Sequence, residues 1–260
     1  MIELLVVVAI LTLLVSMMLP SLAAAKDLAR QAVCSSNIRQ ILLADKGYSV
    51  ENQGYFALAA EDIMTDNLKR WHGERGAMDQ AFDPRRSPLK QYLADGAVKE
   101  CPAFRNYYDE AGIAGAFEAG CGGYGYNATY IGGRADLYGM AAAAGTHSAK
   151  DSDIRRAGDT VMFTDTAYML GEGRMIAYSF CEPVFYVFGP SGPSTHRPNP
   201  TIHFRHRRLC NVAWADGHVD ARGMSFSTDY VTHSRISAEE AAESGLGWFG
   251  PDSNELFDLE

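Results

Sequence analysis

Between Leu4 and Leu19 the chain carries no charged residue, and only Thr12 and Ser16 are polar. As a helix rising 1.5 Å per residue, the run from Met1 to Ala25 is about 37 Å long, enough to cross a hydrocarbon core of roughly 30 Å. Nothing else in the sequence restricts the fold as much, because such a helix needs lipid or other helices around it. The stretch lacks the basic n-region and short core of a signal peptide. One acid interrupts it: Glu3. An ionised carboxylate costs about 2.5–3.5 kcal/mol at a membrane helix centre and less near the end of a span. Pro20 lacks an amide hydrogen and clashes with the carbonyl of Ser16, which predicts a kink or a locally melted turn.

After Pro20 the pattern turns amphipathic. Leu22, Ala25, Leu28/Ala29, Ala32, Ile38 and Ile41/Leu42 recur roughly every three or four residues, with Lys26, Asp27, Arg30, Gln31, Arg39 and Gln40 between them. Gly47 is the predicted stop. The chain therefore divides into an apolar half-helix over 1–25, an amphipathic half over 26–47 and a globular part over 48–260. The globular part is long enough for one substantial core. The chain's 25 glycines, 13 tyrosines and 10 prolines, nearly all of them in this part, point to a loop-rich, strand-rich surface domain. The net charge of −9, from 32 acidic and 23 basic residues, argues against nucleic acid as the main partner. No Walker-type ATP loop appears.

Ser87-Pro88 through Gly96 predicts a short helix with a Ser N-cap, Pro in the first turn and Gly past the end. Residues 112–145 predict loops around a short strand near Tyr124–Asn127. Gly158–Asp165 predicts a turn and then a short buried strand ending in an acid. Met175–Phe180 and Val184–Phe188 predict two further strands broken at Glu182-Pro183, and 189–200 a surface loop. Ser237-Ala238-Glu239-Glu240 is a capping box opening a helix that ends near Gly245. Trp248, Phe249, Leu256 and Phe257 predict a tail that tucks back onto the domain.

Residues 203–222 read HFRHRRLCNVAWADGHVDAR. Asp216-Gly217 predicts a two-residue hairpin turn with positive φ at both positions, joining strands over 211–215 and 218–221. The preferred reading of His206 is that it hydrogen-bonds the turn around Asp216 and locks the hairpin. A divalent cation held by His203, His206, Asp216 and His218, with Asp165 as a further candidate ligand, is the second. Catalysis is the weakest, since neither HExxH nor GxSxG spacing is present.

The N-terminal stretch through Ala44, with Glu3 and Pro20, resembles the helix of type IV pilins and type II secretion pseudopilins. His206, nine residues, then Asp216-Gly217-His218 resembles the signature of one branch of them, often called DUF1559. Cys101-Pro102 and Tyr124–Asn127 echo the same branch. The resemblance implies an α+β fold, a long helix packed on an antiparallel sheet with loop-rich insertions. It implies a non-enzymatic subunit of a pilus or pseudopilus, a homo-oligomeric helical filament. Glu3 would pair with a neighbouring subunit's α-amino group and set axial register. The implied partners are a prepilin peptidase, an N-methylating activity and the assembly machinery. The precursor would sit in the inner membrane and the filament would be periplasmic or extracellular. Met1 stands where the family has Leu, so a leader ending in Gly and two mature residues are expected upstream. The other class of reading is a membrane-tethered extracytoplasmic binding protein or hydrolase with a metal site near His206/Asp216.

Cys34, Cys101, Cys121, Cys181 and Cys210 lack CxxC spacing. In an exported domain they favour disulfides: Cys34–Cys101, stapling helix to domain, and one more bridge among the other three. Five buried free thiols are the alternative. No cofactor is expected. Calcium in loops carrying Asp151, Asp153 or Asp165 stays open, since the oxygen ligands exist.

Overall fold

The computed structural model describes residues 2–105, 118–231 and 235–260. Part of the expected loop region, 112–117, lies outside them. The fold is α+β. A single helix, α1, runs over Ile2–Glu51 and passes through Gly47, so the predicted stop is wrong. A Cβ on residue 47 would lie 3.1 Å from the Tyr92 ring, so glycine there serves close packing. The helix ends at Gln53 and Gly54, both at positive φ, with the Gly54 N–H donating to Ser49 O at 2.8 Å, the six-to-one bond of a Schellman motif.

Strands β1 (Lys69–Arg70) and β2 (Gly73–Glu74) form a small ribbon. The main antiparallel sheet has the order β3-β4-β8-β9, from Tyr124–Tyr126, Val161–Asp165, Leu209–Trp214 and Val219–Gly223. Strands β5 (Tyr168–Gly171) and β6 (Arg174–Ile176) pair together, as do β7 (Ile202–His203) and β10 (Leu246–Gly247). Helix α1 packs across β8, β4 and β9. All five residues of β4 are buried, so it is covered on both faces, as the apolar run Val161–Phe163 at its start allows. Asn127 ties this strand to the tail: its Nδ2 donates to Val161 O at 2.9 Å and Phe257 O at 2.7 Å. Trp248, Phe249 and Phe257 are buried, and the tail does tuck back.

Local signals hold unevenly. Ser237 caps the short helix α3 (Ala238–Glu243), with a complete Ser237/Glu240 capping box; a four-residue α2 (Ala135–Tyr138) precedes it in the chain. The helix expected after Ser87 is one 3-10 turn, Lys90–Tyr92. Ser87 Oγ accepts from Leu89 N but also donates to Trp71 O at 2.8 Å, and the span is too short to repay helix nucleation. Val184–Phe188 forms only one isolated bridge, Val187 to Pro193, and of Met175–Phe180 only Met175 and Ile176 lie in a strand.

Candidate functional site

Every residue from Ile2 to Ala29 is exposed, a rod of about 40 Å at 1.5 Å per residue. The buried face of α1 starts only at Cys34 and continues through Asn37, Ile38, Ile41, Leu42, Ala44, Asp45 and Ser49. The predicted stripe thus docks from residue 34 onward, while Leu22, Ala25, Leu28, Ala29 and Ala32 face outward. The first half is long and apolar enough to cross a membrane. Its polar side chains bond within the helix: Thr12 Oγ1 donates to Ala9 O at 2.9 Å and Ser16 Oγ to Leu13 O at 2.8 Å, as an apolar surrounding demands. The helical assignment continues through Pro20, so no turn melts there. An exposed apolar surface of this extent marks a contact with lipid or other helices.

The helix is stapled to the domain where its docked half begins. Cys34 and Cys101 form a disulfide 67 residues apart in sequence, a closure that limits the unfolded chain by roughly 4 kcal/mol in the loop-entropy view. Asn37 Nδ2 donates to Glu100 O at 3.3 Å beside it. A disulfide fits an oxidising, extracytoplasmic compartment. The second expected bridge does not form: Cys121, Cys181 and Cys210 are buried free thiols. Burial pushes the Cys121 thiol up to about 12.

The signature residues divide between the two ends of β8. At its start, His206 is buried, with Nε2 3.2 Å from Asp165 Oδ2 and 3.6 Å from Cys101 Sγ. Asp165 Oδ2 also accepts from Asn211 N at 2.7 Å and Asn211 Nδ2 at 3.0 Å, and Oδ1 accepts from Arg205 Nη2 at 2.8 Å. Arg205 further donates to Gly123 O at 2.5 Å and Thr166 O at 3.1 Å, and contacts His203 Nδ1 at 3.2 Å. Burial raises the Asp165 carboxyl, but the Arg205 charge, His206 and the Asn211 amide outweigh it and hold the group below the usual carboxylate range. Burial, then Arg205, pushes His203 well below the ordinary histidine value.

At the far end, Asp216 Oδ1 accepts from His218 N at 3.0 Å and meets His218 Nδ1 at 2.6 Å. Six residues of β8 separate the ends, about 20 Å at 3.3 Å per residue. His206 therefore does not lock the turn around Asp216; it locks the base of the hairpin to β4 and the disulfide. The predicted two-residue turn also moves. Trp214 N donates to His218 O and Gly217 N to Trp214 O, with positive φ at Gly217 but not at Asp216, a three-residue loop with a bulge. Within 203–222 the turn with two positive-φ residues is His206–Leu209, whose central Arg207 and Arg208 sit at φ 57° and 67° and whose ends exchange backbone bonds at 2.9 and 3.0 Å. Holding non-glycine residues there costs about 1–2 kcal/mol each. Replacing Arg207-Arg208 by Asn-Gly is expected to stabilise the fold by about 1 kcal/mol, read as a rise in urea midpoint; a fall would contradict the turn assignment.

These placements disperse the expected cation ligands. His206 and Asp165 form one cluster and Asp216 with His218 another. Asp151 pairs with Lys46 at 2.5 Å, Asp153 accepts from Lys150 N, and neither is near the buried Asp165 cluster in its bonding. Ligand atoms of Cys34, Cys101 and His206 do lie within 4.8 Å of one another, but the two sulfurs are bonded together. Sequence reasoning missed Arg205 and Asn211, which no spacing rule singles out, and Asp45, a fully buried acid on α1. The dense charge of HFRHRR beside an apolar strand was the one available signal. Compared with models of known families, with curated proteins and with solved structures, the chain finds no match.

Proposed function

We propose that this chain is a structural subunit of a type IV pilin-like or pseudopilin-like filament, not an enzyme. One observation carries the reading. A wholly exposed apolar half-helix continues without a break into a half that is docked and disulfide-stapled to an α+β domain. Burying each large exposed side chain against neighbouring helices is worth about 1.5–3 kcal/mol, so lateral packing of many copies is the main cohesion. Glu3 sits in the first turn, where a neighbour's α-amino group can neutralise it and fix the stagger. The precursor rests in the inner membrane, is processed by a prepilin peptidase and is drawn into a filament outside the cytoplasm by assembly machinery.

Electron microscopy of sheared surface material is expected to show filaments containing this chain. Glu3→Ala should reduce them to background while leaving the Cys34–Cys101 bridge and the protein level intact. Wild-type filament numbers in that variant would remove the register role of Glu3, and an absence of filaments in the wild type would remove the reading. The tethered-hydrolase alternative has less support, because His206 and Asp216 engage different partners at opposite ends of β8.

A further inference from the structure

On the side of the domain formed by residues 128–145 and 178–188, a cleft of about 470 Å³ opens to solvent. Alanines and glycines of 59–60 and 128–145 form much of its floor, and Tyr178, Phe180, Tyr186, Phe188 and Met140 supply its large side chains. Tyr186 and Phe188 stack at 5.8 Å, and Tyr178 and Phe180 meet edge to face at 5.4 Å. Tyr186, Phe188 and Met140 are 40%, 51% and 65% exposed, unusual for side chains of this kind unless something covers them. Among the described lining residues there is no Lys, Arg or His; the one carboxylate is Glu182.

Glu182 is held in place. Its N–H donates to Thr201 Oγ1 at 3.2 Å and its carbonyl accepts from Trp248 Nε1 at 3.0 Å. Oε1 accepts the Tyr178 hydroxyl at 2.8 Å, and no ion pair to this acid occurs among the described residues. The cation lying on the Phe180 ring, Arg70 at 5.4 Å, is engaged by both oxygens of Glu118 at 2.6 and 2.7 Å. Burial raises the Glu182 carboxyl, opposed only by the Tyr178 hydrogen bond. The cleft therefore combines aromatic faces, which carry negative potential, with an acid that no cation among the described residues pairs with.

We propose that this cleft binds an organic cation, an alkylated or quaternary ammonium group, with Glu182 facing its charge and the aromatic side chains packing on its methyl groups. A metal ion or inorganic cation would leave the apolar walls unused. An anionic ligand would face Glu182 with nothing to offset it. A neutral apolar ligand would leave the Glu182 charge with only the Tyr178 hydroxyl to offset it. The inference does not depend on whether the chain polymerises.

The test uses the full chain in an uncharged sterol-based detergent, titrated calorimetrically with choline and with 3,3-dimethylbutan-1-ol, its neutral isostere. Choline should bind saturably, and the isostere at least about tenfold more weakly. Glu182→Gln, which preserves shape, should weaken choline by at least about tenfold, and Phe188→Ala by roughly threefold to tenfold. Because Phe188 is half exposed, its truncation keeps the core and decides the matter if Glu182→Gln fails to fold. No saturation by choline into the tens of millimolar, equal binding of the isostere, or unchanged choline binding in Phe188→Ala would each overturn the proposal.

Discussion

Asp165→Ala is expected to destabilise the folded chain by about 3–5 kcal/mol, the cost of removing one member of a buried ion pair. The reason is what the carboxylate leaves behind. Arg205 has 3% of its side chain exposed and would keep its charge with no counter-ion. The Asn211 amide, which donates to Oδ2 at 2.7 Å, would lose its acceptor, and His206 its partner. Denaturation followed through the buried Trp71, Trp214 and Trp248 reads the effect. Asp165→Ala combined with Arg205→Met should recover much of the loss, since an apolar replacement of both charges leaves nothing unpaired. A loss below about 1 kcal/mol for the single variant would show that the cluster is not the clamp between β4, β8 and the disulfide. The pH dependence has a defined sign. A carboxyl held below its unfolded value stabilises the fold above about pH 4 and ceases to as pH falls through the folded value. Asp165→Ala should lack that acid limb.

The second large effect lies on α1, in the docked half outside the apolar segment. Asp45 is fully buried; Oδ1 accepts from Ala57 N at 2.9 Å, while Oδ2 has no hydrogen-bond partner. Burial raises its carboxyl to about 7, partly offset by the Ala57 amide and Lys46. Here the folded state holds the proton more tightly than the unfolded chain, so stability falls as pH rises from about 4 to about 7. At about 1.36 kcal/mol per unit, the total is on the order of 4 kcal/mol. Asp45→Asn keeps an acceptor for Ala57 N and carries no charge. It should therefore stabilise the protein by a few kcal/mol at pH 8 and change little at pH 4. The difference between variant and wild-type curves isolates this group, because buried His72 and His203, both pushed down by burial and by neighbouring arginines, act in the opposite direction. A difference that stays flat from pH 4 to pH 8 would contradict the burial of an unpaired acid at this interface.

What could be read from residues alone were features whose physics is local. The apolar run before Pro20 declares a helix that needs an apolar surrounding, whatever follows it. Ser237 and Glu240 satisfy each other's backbone within one turn, and Val161–Phe163 is apolar enough to open a central strand. The Cys34–Cys101 bridge was the expected pairing, and the structure supplies it by setting Cα atoms 5.1 Å apart.

The tertiary structure decided the rest, because the deciding partners are far away in sequence. Gly47 looks like a helix stop and is a seat for Tyr92. Gly125 looks like a strand breaker, yet a Cβ there would lie 2.5 Å from the Phe180 carbonyl carbon. Asp216-Gly217 marks a hairpin correctly, but Arg207-Arg208 takes the double positive-φ turn because the clamp of His206 on Asp165 and the pairing of β8 fix both ends. Charge and polarity can be counted along a chain. Which buried acid meets an arginine, as Asp165 does, and which is left half unpaired, as Asp45 is, depends on long-range packing that no local pattern encodes.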